Sequence, residues 1–260
     1  MSLRVCVLAS GSSGNCTYIG TEKSAILVDA GLSGKETEKR LGEAGGDLSR
    51  VRAVCVSHEH NDHTAGLRVL HRRHSIPLYA NSGTVEALSR DPKMGELKWT
   101  VFTTGSPFDV DEFTIEPFSV PHDAYDPVGF IIRSGDQRIG IVTDMGVATT
   151  LVRERLKRCQ VVIVEANHDE KMLQDAKRPW YLKQRILGRQ GHLSNEAAAA
   201  MVAEIVGPEL EQVYLAHISE DCNRQDLALA TARRVLQKAG HQHIKVCVTY
   251  PDRISDVWAC

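Results

Sequence analysis

Short apolar runs rich in valine and isoleucine recur along this chain and constrain its fold more than any other feature. Runs of this length and composition, separated by polar and glycine-containing stretches, predict β-strands. The predicted strands cover residues 4–9, 25–30, 53–57, 113–120, 128–133, 138–144, 161–166, 213–218 and 244–250.

Helical patterns lie between several of these runs, at residues 35–45, 65–74, 147–158, 194–207 and 223–240. Ser194 is a predicted N-cap for the fourth helix, and Gly240 a predicted stop for the fifth. Gly135 and Asp136 predict a tight hairpin between two strands. The first half is strand-rich and the second alternates helix with strand, which predicts mixed sheets covered by helices. We therefore expect an α/β (α+β) protein whose residues 1–260 form a single domain.

Charge and composition narrow the function classes. Lys plus Arg number 31 and Asp plus Glu 33, a net charge of −2, so any nucleic-acid interface must rest on a local basic patch. No apolar segment approaches the length of a membrane span and the N-terminus does not resemble a signal peptide, so we expect a cytoplasmic protein with no membrane partner. The seven cysteines are scattered and form no CxxC pair, which argues against a disulfide framework or a structural zinc knuckle.

The stretch "VCVSHEHNDHTAGL" at 54–67 places His58, His60, Asp62 and His63 on the loop that leaves a predicted strand. Imidazole and carboxylate ligands without a nearby thiolate suit Zn²⁺, Mn²⁺ or Fe²⁺. Asp62 and His63 are adjacent and point in different directions, so the four side chains cannot all bind one tetrahedral ion. The loop therefore predicts two divalent metal ions, with zinc as the default and manganese or iron as alternatives, and with further ligands that include a bridging carboxylate.

The remaining ligands are expected at strand ends elsewhere in the chain. His122, Asp144 and His217 each stand at or just past the end of a predicted strand. Loops at such positions carry functional side chains on a rigid scaffold. A lone histidine or aspartate there is often a cap, but three of them together with the histidine loop favour a metal site.

With these motifs in this order, the chain resembles the metallo-β-lactamase superfamily over nearly its whole length. The resemblance implies a four-layer αββα sandwich. It implies one metal held by His58, His60 and His122. It implies a second metal held by Asp62, His63 and His217, with Asp144 bridging the two. Asp29 in "ILVDAG" would support the histidine loop without binding a metal.

The sub-family resemblance concerns the substrate. The segments "LASGSSGNCTYI", "VPHDAYDPVGF", "GIVTDMG", "EANHD" and "LKQRILGRQGHLSNEAAA" together resemble the YycJ/WalJ group, on the phosphodiesterase and tRNase Z side of the superfamily. This resemblance implies a DNA exonuclease of 5′→3′ polarity that uses a metal-bridging hydroxide. Antibiotic hydrolysis is not expected, because class B1 β-lactamases carry cysteine in place of Asp144.

Three alternatives stay open. A glyoxalase II-like thioester hydrolase shares the histidine loop, although it carries a helical C-terminal extension, whereas only one helix and one strand are predicted here after His217. A small-molecule phosphodiesterase would use the same metals. A di-iron redox protein generally needs a flavin domain, for which this chain has no room.

Catalysis needs more than metal ligands, since a leaving oxygen benefits from a proton. Glu165 ends a predicted strand and His192 precedes a predicted helix. A glutamate and a histidine in similar places in tRNase Z assist departure of the leaving oxygen, so we expect Glu165 and His192 to be catalytic. We expect Asp62 of the histidine loop to be catalytic as well. The alternative is that His192 and Glu165 serve only a helix start and a turn.

Substrate contacts are expected from three further places. The glycine and hydroxyl loop "SGSSGN" could form an anion nest from backbone N–H groups, and His168 follows a strand near the site. The basic segment "KRPWYLKQRILGR" suits a nucleic-acid backbone and stacked bases, unless its aromatic residues pack inward. The candidate substrate-binding residues are Ser12, Ser13, Asn15, His168, Lys183 and Arg185.

Overall fold

The computed structural model describes residues 3–260. The strands are β1 Arg4–Ala9, β2 Cys16–Gly20, β3 Ala25–Val28, β4 Val51–Cys55, β5 Leu78–Asn81, β6 Trp99–Phe102, β7 Phe108–Val110, β8 Phe113–Ser119, β9 Val128–Ser134, β10 Gln137–Val142, β11 Val161–Glu165, β12 Gln212–Ala216, β13 Lys245–Val248 and β14 Trp258–Ala259. The helices are α1 Gly34–Glu43, α2 Asn61–Thr64, α3 Leu67–His74, α4 Ser82–Ser89, α5 Pro92–Gly95, α6 Thr150–Leu156, α7 Glu170–Asp175, α8 Trp180–Leu187, α9 Asn195–Ile205 and α10 Gln225–Lys238.

The chain divides into two compact units. The first comprises the chain up to Pro117 together with Ala124–Val128 and Tyr250–Cys260, and the second comprises Phe118–Asp123 and Gly129–Thr249. Each unit has an apolar core of its own, built in the first around side chains such as Leu27 and in the second around side chains such as Val162. The expectation of a single domain over residues 1–260 stays a prediction.

The sheet of the first unit has seven strands in the order β14-β1-β2-β3-β4-β5-β6. Neighbouring strands from β1 to β3 are antiparallel, and neighbouring strands from β3 to β6 are parallel. Helical segments connect the parallel strands, since a parallel pair needs a long crossover connection. Strands β2 and β3 are buried along their whole length, as expected for strands covered on both faces.

The second sheet also has seven strands, in the order β13-β12-β11-β10-β9-β8-β7. Strands β10 to β13 are parallel, so the residues that follow β10, β11 and β12 emerge at the same edge. Gly135 turns the chain between β9 and β10 with φ of 58°, a left-handed conformation that glycine adopts without steric cost. This hairpin confirms the turn predicted at Gly135 and Asp136.

All nine predicted strands and all five predicted helices are present. The Ser194 side chain accepts a hydrogen bond from Ala197 N at the start of α9, and Gly240 follows α10 with φ of 80°. Sequence patterns missed β2 and the short strands β5 to β7 and β14, because strands of two to five residues carry little periodicity. Within residues 3–260, no helix is both long and apolar enough to cross a membrane.

Candidate active site

The histidine loop of the first unit leaves β4 and enters the short helix α2. His58 Nε2 lies 3.1 Å from His60 Nδ1, and the His58 and His63 rings have centroids 4.1 Å apart. Asp62 Oδ2 lies 3.4 Å from His63 Nε2. The loop therefore collects three imidazoles and one carboxylate within a few ångströms.

Asp29 holds this loop from the end of β3. Its carboxylate accepts hydrogen bonds from Ser57 N at 2.7 Å, from Ser57 Oγ at 2.9 Å and from His63 Nδ1 at 2.8 Å. Asp29 has φ of 62°, a left-handed conformation that aspartate tolerates better than most residues. The carboxylate thus orients His63 and the chain just before His58.

Asn15 holds the same loop from the other side. Its Nδ2 lies 3.1 Å from Asp62 Oδ2 and 3.0 Å from His63 Nε2, and its N–H donates to Asp62 O at 2.7 Å. Gly31 lies against this contact: a Cβ there would stand 1.8 Å from Asp62 O, so only glycine fits. Asn15 is buried, which makes it a support for the loop in this structure.

The second unit holds a cluster rich in carboxylates at the edge where parallel strands end. Asp144 follows β10, Glu165 ends β11 and His217 follows β12. Asp144 and His217 have φ of 57° and 51°, left-handed values that are uncommon outside glycine and that cluster at functional sites. Ligand atoms of Asp144, Glu165, His192 and His217 lie within 4.8 Å of one another.

The fully buried Glu165 forms an ion pair with the partly buried His192. His192 Nδ1 lies 2.6 Å from Glu165 Oε1, and Glu165 Oε2 accepts from Met145 N at 2.8 Å. Burial favours the neutral form of Glu165, but the charge on His192 outweighs burial and lowers the pKa of Glu165 to about 2. Burial likewise opposes the charged imidazole, but Glu165 outweighs it and raises the pKa of His192. The pair therefore favours the protonated form of His192.

Two other histidines of the second unit, His122 and His217, lie beside the same carboxylates. His122 Nδ1 donates to Gly191 O at 3.2 Å, which leaves the lone pair on Nε2, 3.9 Å from Asp144 Oδ1. Burial lowers the pKa of His122, so the ring is neutral at neutral pH. His217 Nδ1 lies 3.4 Å from Glu165 Oε1, and its Nε2 lies 3.4 Å from Asp144 Oδ1.

This donor set fits a divalent metal ion. A neutral imidazole lone pair repels a carboxylate oxygen unless a cation lies between them, and nitrogen and oxygen donors suit zinc, manganese or iron. The first cluster has the same arrangement, since His63 Nδ1 donates to Asp29 and its Nε2 lone pair lies beside Asp62. Both clusters therefore suit divalent metal ions by the chemistry of their own side chains.

Comparison with known proteins identifies the family. A family model described as the beta-lactamase superfamily domain matches residues 24–218. The chain is 37% identical over 243 residues to exodeoxyribonuclease YycJ of Bacillus anthracis, covering 92% of this chain and 91% of that protein. It is 36% identical over 236 residues to exodeoxyribonuclease WalJ of Streptococcus pneumoniae, covering 90% of this chain and 88% of that protein. This chain belongs to the metallo-β-lactamase superfamily.

Membership in the superfamily, and the similarity to its YycJ/WalJ group, confirm the resemblance inferred from the motifs. The metallo-β-lactamase fold protein YhfI of Bacillus subtilis aligns with a TM-score of 0.76 at 17% identity, covering 100% of this chain and 99% of that one. Its likeness confirms the expected fold class. The chain is therefore a member of a metallo-β-lactamase hydrolase family.

The residues predicted to bind substrate differ in their exposure and in their contacts. Ser12 and Ser13 are exposed on the loop after β1. Lys183 Nζ donates to Gln174 O at 2.5 Å, and Arg185 pairs with Asp123, the residue after His122.

His168 lies on the segment that follows β11 and is 1% exposed. Within residues 3–260, neither of its ring nitrogens has a hydrogen-bond partner. Burial lowers the pKa of His168, so its ring is neutral at neutral pH and can accept one hydrogen bond and donate another.

Sequence reasoning assigned no role to several residues that orient the clusters. Ser57 links Asp29 to the histidine loop, and Asn167 Nδ2 donates to His217 O at 2.9 Å. The Gly191 carbonyl orients His122. Asn167 lies in the segment "EANHD" and Gly191 in the segment "GRQGHLS", both of which contributed to the family resemblance. Nothing in the sequence of either segment indicated these contacts.

Proposed function

We propose that this chain is a metal-dependent phosphodiester hydrolase that degrades DNA in the 5′→3′ direction. The DNA substrate is supported by the relatives named exodeoxyribonuclease, which match about nine-tenths of the chain. The chemistry is supported by one geometric observation above all, the Glu165–His192 pair beside Asp144. A cytoplasmic location fits such a nuclease.

We infer that this chain binds two divalent ions. Family membership and the donor chemistry of each cluster support this ligand set, which is His58, His60, Asp62, His63, His122, Asp144 and His217. The metals would supply a hydroxide nucleophile at neutral pH and stabilise negative charge on the phosphoryl oxygens. Zinc is our first choice of metal, with manganese and iron tested beside it.

The protein's own residues would move the protons. His192 is held protonated by Glu165 and can donate to the leaving oxygen, while Glu165 fixes the ring orientation and stabilises the imidazolium. Glu165 is itself fixed by the Met145 N–H, so the pair is rigid before substrate arrives. Asp62, held by Asn15, can accept a proton from the attacking water.

Substrate contacts would come from groups around the clusters. The exposed hydroxyls of Ser12 and Ser13 can bind phosphate oxygens, and we keep Asn15 as a candidate although it also supports Asp62. Lys183 and Arg185 provide positive charge on α8. His168 stays a candidate substrate contact, because neither of its ring nitrogens has a hydrogen-bond partner within residues 3–260.

The test is cleavage of end-labelled nucleic acid by protein reconstituted separately with zinc, manganese or iron. Single- and double-stranded DNA and RNA are compared, each with a 5′-phosphate or a 5′-hydroxyl. A 5′→3′ exonuclease releases a 5′ label at once as a short product, whereas a 3′-labelled strand shortens gradually. Asp144→Asn protein prepared in parallel controls for contaminating nucleases.

Each other outcome has a definite meaning. Gradual shortening of the 5′-labelled strand would reverse the polarity, and preference for RNA would overturn the DNA assignment. Hydrolysis of bis-p-nitrophenyl phosphate without any cleavage of nucleic acid would indicate a small-molecule phosphodiesterase. Hydrolysis of S-lactoylglutathione alone would replace the proposal with a thioester hydrolase.

A further inference from the structure

Helix α8 of the second unit presents aromatic side chains to solvent. None of its eight residues is buried, and Trp180 and Tyr181 are 64% and 67% exposed. Exposed tryptophan and tyrosine side by side are unusual on a protein surface, since both residues are usually largely buried. The aromatic residues therefore do not pack inward, which resolves the alternative that the sequence left open.

The C-terminal end of α8 is joined to the acid-rich cluster of the same unit. His192 N donates to Ile186 O at 2.9 Å, and the Gly191 carbonyl that follows the helix accepts from His122 Nδ1. Gly191 permits this approach, because a Cβ there would stand 2.2 Å from Ile186 O. The exposed rings of α8 thus stand on a helix that is anchored directly to His122 and His192.

The surface around α8 is positively charged. Five basic residues and no acid occur from residue 176 to 195. Arg178 pairs with Asp221 and Arg185 with Asp123, whereas Lys177, Lys183 and Arg189 have no carboxylate partner within residues 3–260. A second copy of the chain docking on this face would bring like charges together, which disfavours a dimer here.

We propose that α8 is a binding platform for single-stranded DNA, on which bases stack against Trp180 and Tyr181 while Lys177 and Arg189 contact phosphates. Adjacent helical residues project about 100° apart, so the two rings offer separate stacking faces. An eight-residue helix is ~12 Å long, the reach of about three to four nucleotides at the stacked spacing of a strand. This inference rests on the proposed nuclease function, since it names the form of DNA that the enzyme holds.

The test uses fluorescence anisotropy to measure binding to the full-length, metal-loaded protein. The probe is a fluorescein-labelled single strand of 20 thymidine nucleotides, whose linkages are phosphorothioates. The double variant W180A/Y181A is expected to raise Kd about tenfold or more. The variant W180F/Y181F keeps two stacking rings and is expected to stay within about threefold of wild type. Both positions are exposed, so folding should be unaffected, and circular dichroism checks this.

Salt dependence separates the two kinds of contact. The variant K177A/R189A is expected to reduce the slope of log Kd against log salt by about 1.4, because each phosphate contact on a single strand contributes about 0.7. The variant W180A/Y181A should leave that slope unchanged. Lys98, between α5 and β6, and Lys238, at the end of α10, are exposed lysines outside α8. The variant K98A/K238A is therefore the matched control and should leave both Kd and the salt slope unchanged.

The outcomes distinguish this inference from the nuclease proposal. Wild-type protein that cleaves no phosphodiester would overturn the proposed function, and the platform with it. Wild-type protein that degrades DNA while W180A/Y181A binds the single strand as tightly as wild type would overturn the platform alone. Conversion of a dimer to a monomer by W180A/Y181A, with Kd unchanged, would assign the surface to a second copy instead.

Discussion

The two ligand clusters differ in how the chain assembles them. The histidine cluster of the first unit takes four side chains from six consecutive residues on one loop. The acid-rich cluster of the second unit takes its side chains from segments around β8, β10, β11 and β12 and from the loop before α9. The first is a local motif that Asn15 and Asp29 hold by hydrogen bonds. The second exists only because a parallel sheet brings the ends of several strands to one edge.

The clusters also differ in electrostatics. The carboxylate of Asp62 is partly exposed, with a side chain 22% accessible, whereas Glu165 is fully buried. A buried carboxylate must be paired, and Glu165 is paired with His192. In the proposed mechanism the second cluster therefore holds a proton for the leaving group as well as metal ligands, whereas the first has no such proton donor. This difference of roles leads to the following predictions.

The largest effect is expected from removing one carboxylate of each cluster. Asp62→Asn and Asp144→Asn should each lower kcat/KM for bis-p-nitrophenyl phosphate on the order of 10³-fold, because each removes a charged metal ligand. Asparagine tolerates the left-handed φ of Asp144, so folding should be preserved. If the clusters serve one centre, the double variant loses little more than either single variant. Multiplied losses would show two independent sites, and exposed Asp136→Asn is the control.

The next effect tests the proton donor of the second cluster. His192→Gln should lower kcat about 10²-fold by removing the general acid, while bound metal, measured by elemental analysis of the purified protein, stays at the wild-type level. His60→Gln, from the first cluster, should instead reduce the bound metal. Loss of metal from the His192 variant would make His192 a ligand, and a wild-type rate would remove it from catalysis.

A smaller effect is expected from the residues that orient ligands. Asp29→Asn should weaken metal affinity about 10- to 100-fold, because Asp29 orients His63 and fixes Ser57. Asn167→Ala should cost less, since Asn167 steadies only His217. Chelator competition measures both. A larger loss for Asn167→Ala would show that the second cluster depends more on its supporting contacts than the first.

The smallest effect concerns Glu112, a carboxylate outside both clusters that bonds Thr21 and Ser24. Burial favours its neutral form, but these hydrogen bonds outweigh burial and lower the pKa of Glu112 below 4.5. Its stabilisation is therefore present above pH 4.5 and is lost as pH falls through the folded-state pKa. Because Glu112 is only partly buried, we expect Glu112→Gln to cost less than about 1 kcal/mol at pH 7.

Urea denaturation of the metal-free protein at pH 7 and pH 3 measures this cost. The difference between Glu112→Gln and wild type should shrink at the lower pH. An equal difference at both pH values would show that the ionised carboxylate contributes nothing.

Sequence patterns predicted much of the fold and the ligand types, for reasons that are visible in particular residues. Strands β8 to β12 have five to seven residues, enough for their composition to identify them, and His58 to His63 lie so close in sequence that one loop must hold them together. Short strands such as β6 were not predicted, because a four-residue segment of mixed polarity has neither a clear hydrophobic period nor a distinctive composition. The Glu165–His192 contact was expected from the family resemblance, since nothing local links residues 27 positions apart.

The sequence by itself determined that this chain forms mixed sheets with helices and carries nitrogen and oxygen ligands for divalent metals. Local periodicity and ligand chemistry suffice for that. Only the tertiary structure decided which side chains meet: Asp29 with Ser57 and His63, and Glu165 with His192. It also decided that Trp180 and Tyr181 face solvent. These contacts depend on strand register and on left-handed backbone at Asp29, Asp144 and His217, which no local pattern of residue types encodes.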